Sequence, residues 1–192
     1  MRKNVITATA AAGWILAAFL AGRTQIPVAE AASGKLSAAD YVEIQQLLYK
    51  YAHGIDTCGN NGYDYADVFT TDGVFIDNNS DAGFAAGGRV LARGRDALAE
   101  LVGGGAKGCK TRLPWWGWSH LMLNPVITPT PDGAVGHTYL VQLEMRGPGT
   151  VDRHGGYEDV FVRTPEGWRI KSRTHVRNKA WYAPDLRSTD LN

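Results

Sequence analysis

Apolar residues in the first ordered-looking part of the chain recur at steps of three and four. In residues 36–56, LSAADYVEIQQLLYKYAHGID, Tyr41, Ile44, Leu48, Tyr51 and Ile55 fall on one stripe, the signature of an amphipathic helix. Ser37 followed by Asp40 is a capping-box pattern that fixes where this helix starts. At its far end the stripe turns polar. Tyr51 and Asp56 put a hydroxyl and a carboxylate where an apolar face should be closing a core. On residue type alone two readings stand: Tyr51 packs as an aromatic with its hydroxyl satisfied and Asp56 caps the helix end, or the two face a site.

The elements then shorten. Residues 57–62 (TCGNNG) read as a loop, 63–69 as a short second helix, and Thr71-Asp72-Gly73 as a turn into a first strand over 74–77. Residues 78–88 are polar and glycine-rich, fitting a hairpin loop, and 89–92 form a short strand. Gly94-Arg95-Asp96 opens a third helix running to 102. From Trp115 onward the period drops to near two, giving strands over 118–128, 134–146, 157–163 and 168–177. A turn at Pro131-Asp132-Gly133, a glycine-rich connection over 147–156 and a turn at 164–167 separate them. Helices first and a meander of long strands afterwards predict an α+β domain, with helices packed on one face of a curved antiparallel sheet.

Composition changes this picture at the N-terminus. Arg2 and Lys3, an apolar run over 5–22 and the small-x-small site Ala29-Glu30-Ala31 read as a secretory signal cut before Ala32. The domain is then 32–192, exported to the periplasm or the medium; an uncleaved N-terminal membrane anchor is the alternative. The formal charge of +1 and the lack of any Lys/Arg block argue against nucleic acid or an anionic membrane surface as partner. Cys58 and Cys109 lack the spacing of a metal or redox site. In an exported protein they form one disulfide, closing a loop of about 51 residues, a constraint of roughly 4 kcal/mol; two unpaired buried thiols are the other reading.

Chemistry is sparse. On the first long strand, alternation puts Trp116, Trp118, His120, Met122 and Asn124 on one face. That face is either an aromatic wall for a flat ligand or plain core. Tyr157 and Asp159 share another face, with Tyr157 a candidate contact. His53, His137, His154 and His175 combine with no acid at metal-ligand spacing, so no metal is expected. The absence of GxSxG, of a P-loop and of GxGxxG after a strand argues against hydrolase triads and nucleotide cofactors.

The succession YAHGID, YADVFTTDGVF, RGRDALAELV, WSHLMLNPVI and GYEDVFVRTPEGWRIKSR resembles the SnoaL-like branch of the NTF2-like superfamily, over residues 36–177. The resemblance implies a conical NTF2-like barrel, a curved sheet and about three N-terminal helices enclosing one deep, mostly apolar pocket. It also implies a homodimer or homotrimer formed through the open sheet face. The fold hosts dehydratases, isomerases, cyclases and binding proteins, so it decides little by itself.

Scytalone dehydratase and bile acid 7α-dehydratase are the informative comparison. Asp56 and His120 stand where those enzymes carry an Asp at the end of the first helix and a His on the strand after the third. Tyr51 matches a Tyr five positions before that Asp in the bile acid enzymes, and Glu144 falls near a further acid/base or hydrogen-bonding position. Ile55 departs from the Tyr that scytalone dehydratase has there. The implied activity is that of a cofactor-independent lyase, a dehydratase of a hydroxylated hydrophobic or aromatic ring compound. Asp56 would orient the base His120, Tyr51 would clamp a substrate oxygen, and Glu144 would be a second acid/base. Trp116, Trp118, Asn124 and Tyr157 would bind substrate. An isomerase or polyketide-cyclase-like enzyme, or a non-catalytic small-molecule-binding module, is the alternative.

Overall fold

A computed structural model of the chain describes residues 35–78, 88–109, 117–145 and 151–176. The signal segment, Trp116 and the start of the Trp-rich stretch lie outside the described residues. Among the described residues three α-helices, α1 (Ala38–Thr57), α2 (Tyr63–Ala66) and α3 (Arg95–Leu101), accompany six strands. The strands are β1 (Phe69–Asn78), β2 (Arg89–Arg93), β3 (Trp118–Thr130), β4 (Gly133–Glu144), β5 (Val151–Thr164) and β6 (Gly167–Val176).

The capping box holds the start of α1. Ser37 Oγ accepts from the Asp40 backbone N at 3.2 Å, and Asp40 accepts from the Ser37 backbone N at 2.8 Å. Asp40 also accepts from Trp168 Nε1 at 2.9 Å and pairs with Arg163, so the helix start is tied to the β5–β6 hairpin. Burial pushes the Asp40 carboxyl up, but the bonds from Ser37 and Trp168 and the Arg163 charge outweigh it and hold it below the usual carboxylate range. Ile44, Leu47, Leu48 and Tyr51 are the buried stripe. Gly54 carries no side chain because α2 crosses there: a Cβ would lie 2.7 Å from the Tyr65 Cα. That close approach sets Tyr65 beside Tyr51, ring centroids 5.0 Å apart.

The sheet order is β2-β1-β6-β5-β4-β3. The expected α+β architecture with a curved sheet is the observed one, and the six-stranded sheet is unclosed and mixed. Within it one ladder, β1 with β6, runs parallel while the others are antiparallel. The first strand therefore lies against the last, which brings residues from both ends of the domain into one wall.

Three local readings change. The second helix stops at Ala66 and β1 begins at Phe69; Thr71-Asp72-Gly73 is an irregularity inside that strand, where its register with β6 shifts. The glycine-rich connection is shorter than expected, because Gly155 and Gly156 are already paired with Leu140 and Tyr139 of β4. In β3 the register shifts between Leu123 and Val126. Asn124 adopts φ 49° there, and Pro125 has no N–H to give to the ladder.

Candidate functional site

The end of α1 and the start of β3 meet through one carboxylate. Asp56 Oδ2 accepts from the His120 backbone N at 2.9 Å, and Asp56 Oδ1 is in short contact with His120 Nδ1. The imidazole is buried, its side chain 1% exposed, while Asp56 is 20% exposed. On the other side Gln142 of β4, the cross-strand partner of His120, donates from Nε2 to His120 Nε2 at 2.7 Å. A donor on Nε2 and a carboxylate on Nδ1 assign one tautomer to the neutral ring, with the proton on Nδ1 and the lone pair on Nε2.

His120 lines a cavity of about 160 Å³, partly open to solvent, with Tyr51, Tyr65, Trp118, Gln142, Tyr157 and His175 among its walls. Phe75, Leu91, Leu101 and Val102 supply apolar lining. This volume compares with the apolar cavity of about 150 Å³ that takes up benzene. The cavity is therefore about the size of one ring, and it is partly open to solvent.

Behind the cavity lies an ion pair that the sequence did not reveal. Arg173 of β6 is fully buried and donates from Nε and Nη2 to the two Asp159 carboxylate oxygens, each at 2.7 Å. Its guanidinium carbon sits 3.8 Å from the Tyr51 ring centroid and 4.3 Å from that of Tyr157. Burial alone would lower the Arg173 pKa, but Asp159 outweighs it and keeps the guanidinium charged. Tyr51 donates to the Tyr157 hydroxyl at 3.2 Å. Burial raises the pKa of Tyr51, and of Tyr65 and Tyr157 by more, so all three are neutral phenols, capable of donating. The Tyr51–Tyr157 bond uses one hydroxyl proton and leaves the other for a ligand.

On this lining Tyr65 Oη and Gln142 Oε1 are buried with no hydrogen-bond partner among the described residues. Buried polar atoms in a folded protein are nearly always paired. Their position on a cavity wall suits them to a ligand's hydroxyl groups.

Of the residues singled out from sequence, Tyr51, Trp118, His120 and Tyr157 line this cavity, and Asp56 reaches it through its contact with His120. Glu144 is a correction. It shares a face with Gln142 but lies opposite Trp118, whose Nε1 donates to Glu144 Oε2 at 3.0 Å, so it holds the indole instead of lining the cavity. Gln142, two residues earlier, is the residue that reaches His120. Asn124 is a second correction: past Leu123 the β3 irregularity breaks the alternation, and Asn124 is exposed. Trp116 lies outside the described residues. Cys58 and Cys109 form a disulfide. Among the described residues no group of three or more His, Cys, Asp or Glu is placed to hold a metal ion.

The model of the SnoaL-like domain matches residues 37–174 of the chain. No curated protein sequence matches it significantly. Among solved structures, a protein of unknown function with a cystatin-like fold from Nostoc punctiforme is similar at 18% identity and TM-score 0.60, over 76% of this chain and 96% of its own. An NTF2-like protein from Novosphingobium aromaticivorans is 24% identical with a TM-score of 0.58, over 78% and 90% of the two chains. A candidate scytalone dehydratase from the same organism is 19% identical with a TM-score of 0.54, over 73% and 85%. Identities this low carry the fold alone.

Proposed function

This chain belongs to the SnoaL-like family, and from that premise and the geometry of the cavity we propose that it is a cofactor-independent lyase, a dehydratase of a hydroxylated ring compound. The observation that carries the reading is the Asp56–His120–Gln142 contact at the cavity wall. A carboxylate on Nδ1 fixes the ring and stabilises the imidazolium that forms when Nε2 takes a proton.

In a β-hydroxy cyclic ketone, His120 Nε2 would remove the proton on the carbon between carbonyl and carbinol. The electron pair becomes the new C=C bond, the C–O bond breaks, and the departing oxygen leaves as water with the proton from His120. The free phenol proton of the Tyr51–Tyr157 pair would bond the carbonyl oxygen as negative charge builds there. Gln142 Oε1, unpaired beside the base, would accept from the departing hydroxyl. Gln142 moves off Nε2 as the substrate enters, since both use the same lone pair.

The disulfide between Cys58 and Cys109 supports an exported protein, and no helix among the described residues is long and apolar enough to cross a membrane. The homodimer or homotrimer stays a proposal, with the outer face of β3 and β4, where Leu121, Leu123, Val126 and Tyr139 are exposed, as its surface.

The test uses 3-hydroxy-1-tetralone, which loses water to give 1-naphthol. We expect turnover by the wild type, and a fall of about 10²–10⁴-fold in His120→Gln with binding retained. Binding by both proteins without wild-type turnover, here and on other β-hydroxy cyclic ketones, favours the binding-module reading.

A further inference from the structure

Stability alone does not account for the ion pair behind the cavity. Taking a guanidinium and a carboxylate out of water is so costly that a buried pair is often no better than two apolar side chains of the same volume. The side chains of Arg173 and Asp159 are both 0% exposed. Arg173 bears a further cost: Nε and Nη2 are spent on Asp159, and Nη1 is buried with no hydrogen-bond partner among the described residues.

The charge is held against two aromatic rings. Tyr51 and Tyr157 meet edge to face, their centroids 5.4 Å apart and their planes at 71°. The Arg173 guanidinium carbon lies 3.8 Å from the first centroid and 4.3 Å from the second, so one cation touches both π systems. The β5–β6 register sets Arg173 opposite Asp159. Tyr157 stands two residues before Asp159 on the same face of β5, and Tyr51 reaches in from α1. Both tyrosines line the cavity while Arg173 stays behind them. A ligand therefore meets the phenols and not the guanidinium.

A cation against a phenol ring favours negative charge on the hydroxyl oxygen, and a low-dielectric interior strengthens the effect. Burial raises the pKa of both phenols. In each, the Arg173 charge is the largest influence acting the other way, and at Tyr157 it exceeds that of Asp159. Tyr51 donates to Tyr157 at 3.2 Å, and hydrogen bonds in series polarise one another. The pull on the first hydroxyl thus sharpens the second as a donor.

We propose that Arg173 is a positioning residue that acts through Tyr51 and Tyr157, making the phenol pair a selective binder of a ligand oxygen that carries negative charge. The cavity then favours the phenolate or enolate form of a ring compound over its neutral form, and Asp159 holds the guanidinium against the rings. This inference rests on the reading above in which the tyrosine pair bonds a ligand oxygen.

The experiment binds 4-nitrophenol, a one-ring probe whose anion and neutral form absorb at different wavelengths, to the oxidised protein at a fixed neutral pH. Spectra of the bound probe give its anion-to-neutral ratio in the site. In Arg173→Met with Asp159→Leu, which replaces the pair by apolar side chains and keeps both tyrosines, that ratio should fall about ten-fold or more. Binding of 4-nitroanisole, which cannot ionise, should stay within about two-fold. Arg173→Gln with Asp159→Asn, a neutral pair that can still hydrogen-bond, carries the test should the first variant fail to fold, and the same fall is expected. His120, His175 and Asp77 on the cavity wall are the same in every protein compared, so the difference reads the Arg173 charge. An unchanged ratio, or a loss of 4-nitroanisole binding as large as the loss of anion binding, overturns the inference and leaves the His120 reading standing. Failure of the wild type to bind either probe overturns the ring-binding reading and this inference with it.

Discussion

Arg173 is the residue whose placement explains most of its neighbours. A fully buried guanidinium survives because Asp159 meets it with two bonds and two tyrosine rings cover it. Such pairs are costly to break from one side, because the remaining charge has no water to return to. Asp159→Asn should therefore lower unfolding stability by about 3–5 kcal/mol, whereas Asp159→Leu with Arg173→Met should cost markedly less; urea melts of the two variants check this, and equal losses would contradict it. Nothing in the sequence announced the pair. Asp159 and Arg173 are fourteen positions apart on separate strands, and only the β5–β6 register, in which they are direct partners, unites them. The same limit explains Glu144. Glu144 and Gln142 share a strand face, and which of the two stands opposite His120 depends on the β3–β4 register.

Elements were more legible than pairs, because periodicity is a property of one segment. The stripe from Ile44 to Tyr51 and the capping box at Ser37 and Asp40 are found where the pattern put them. The misreadings fall at irregularities: the Asn124–Pro125 break in β3 and the register shift at the start of β1. There a strand is held by its neighbours against its own local pattern. Asp40 links element to element, capping α1 while bonding Trp168 and pairing with Arg163. Asp40→Ala should cost about 1–2 kcal/mol at neutral pH. The folded Asp40 carboxyl lies below its ordinary value near 3.8. Its contribution is thus present above that value and lost as pH falls through the folded one. Melts of wild type and variant should converge in acid, and a gap that persists at the lowest pH would contradict the assignment.

For the whole molecule, the cavity exists because α1, the sheet and the α2–α3 segment are fastened around it. Cys58, the left-handed C-cap of α1, is bonded to Cys109 beyond α3, 51 residues on, so the helix end that bears Asp56 is tied to the segment leading toward β3. Replacing both cysteines by Ala should lower stability by about 2–4 kcal/mol, read from thermal melts against the oxidised wild type; melts that coincide would contradict it. The central claim concerns the proton that His120 takes. The most direct measurement is hydrogen–deuterium exchange at C2 of 1-tetralone in D₂O, followed by NMR, because this ketone has an acidic C–H and no leaving group. The account predicts exchange in the wild type well above the buffer rate, and a loss of about 10²-fold or more in His120→Gln. Equal exchange in the two proteins would contradict it.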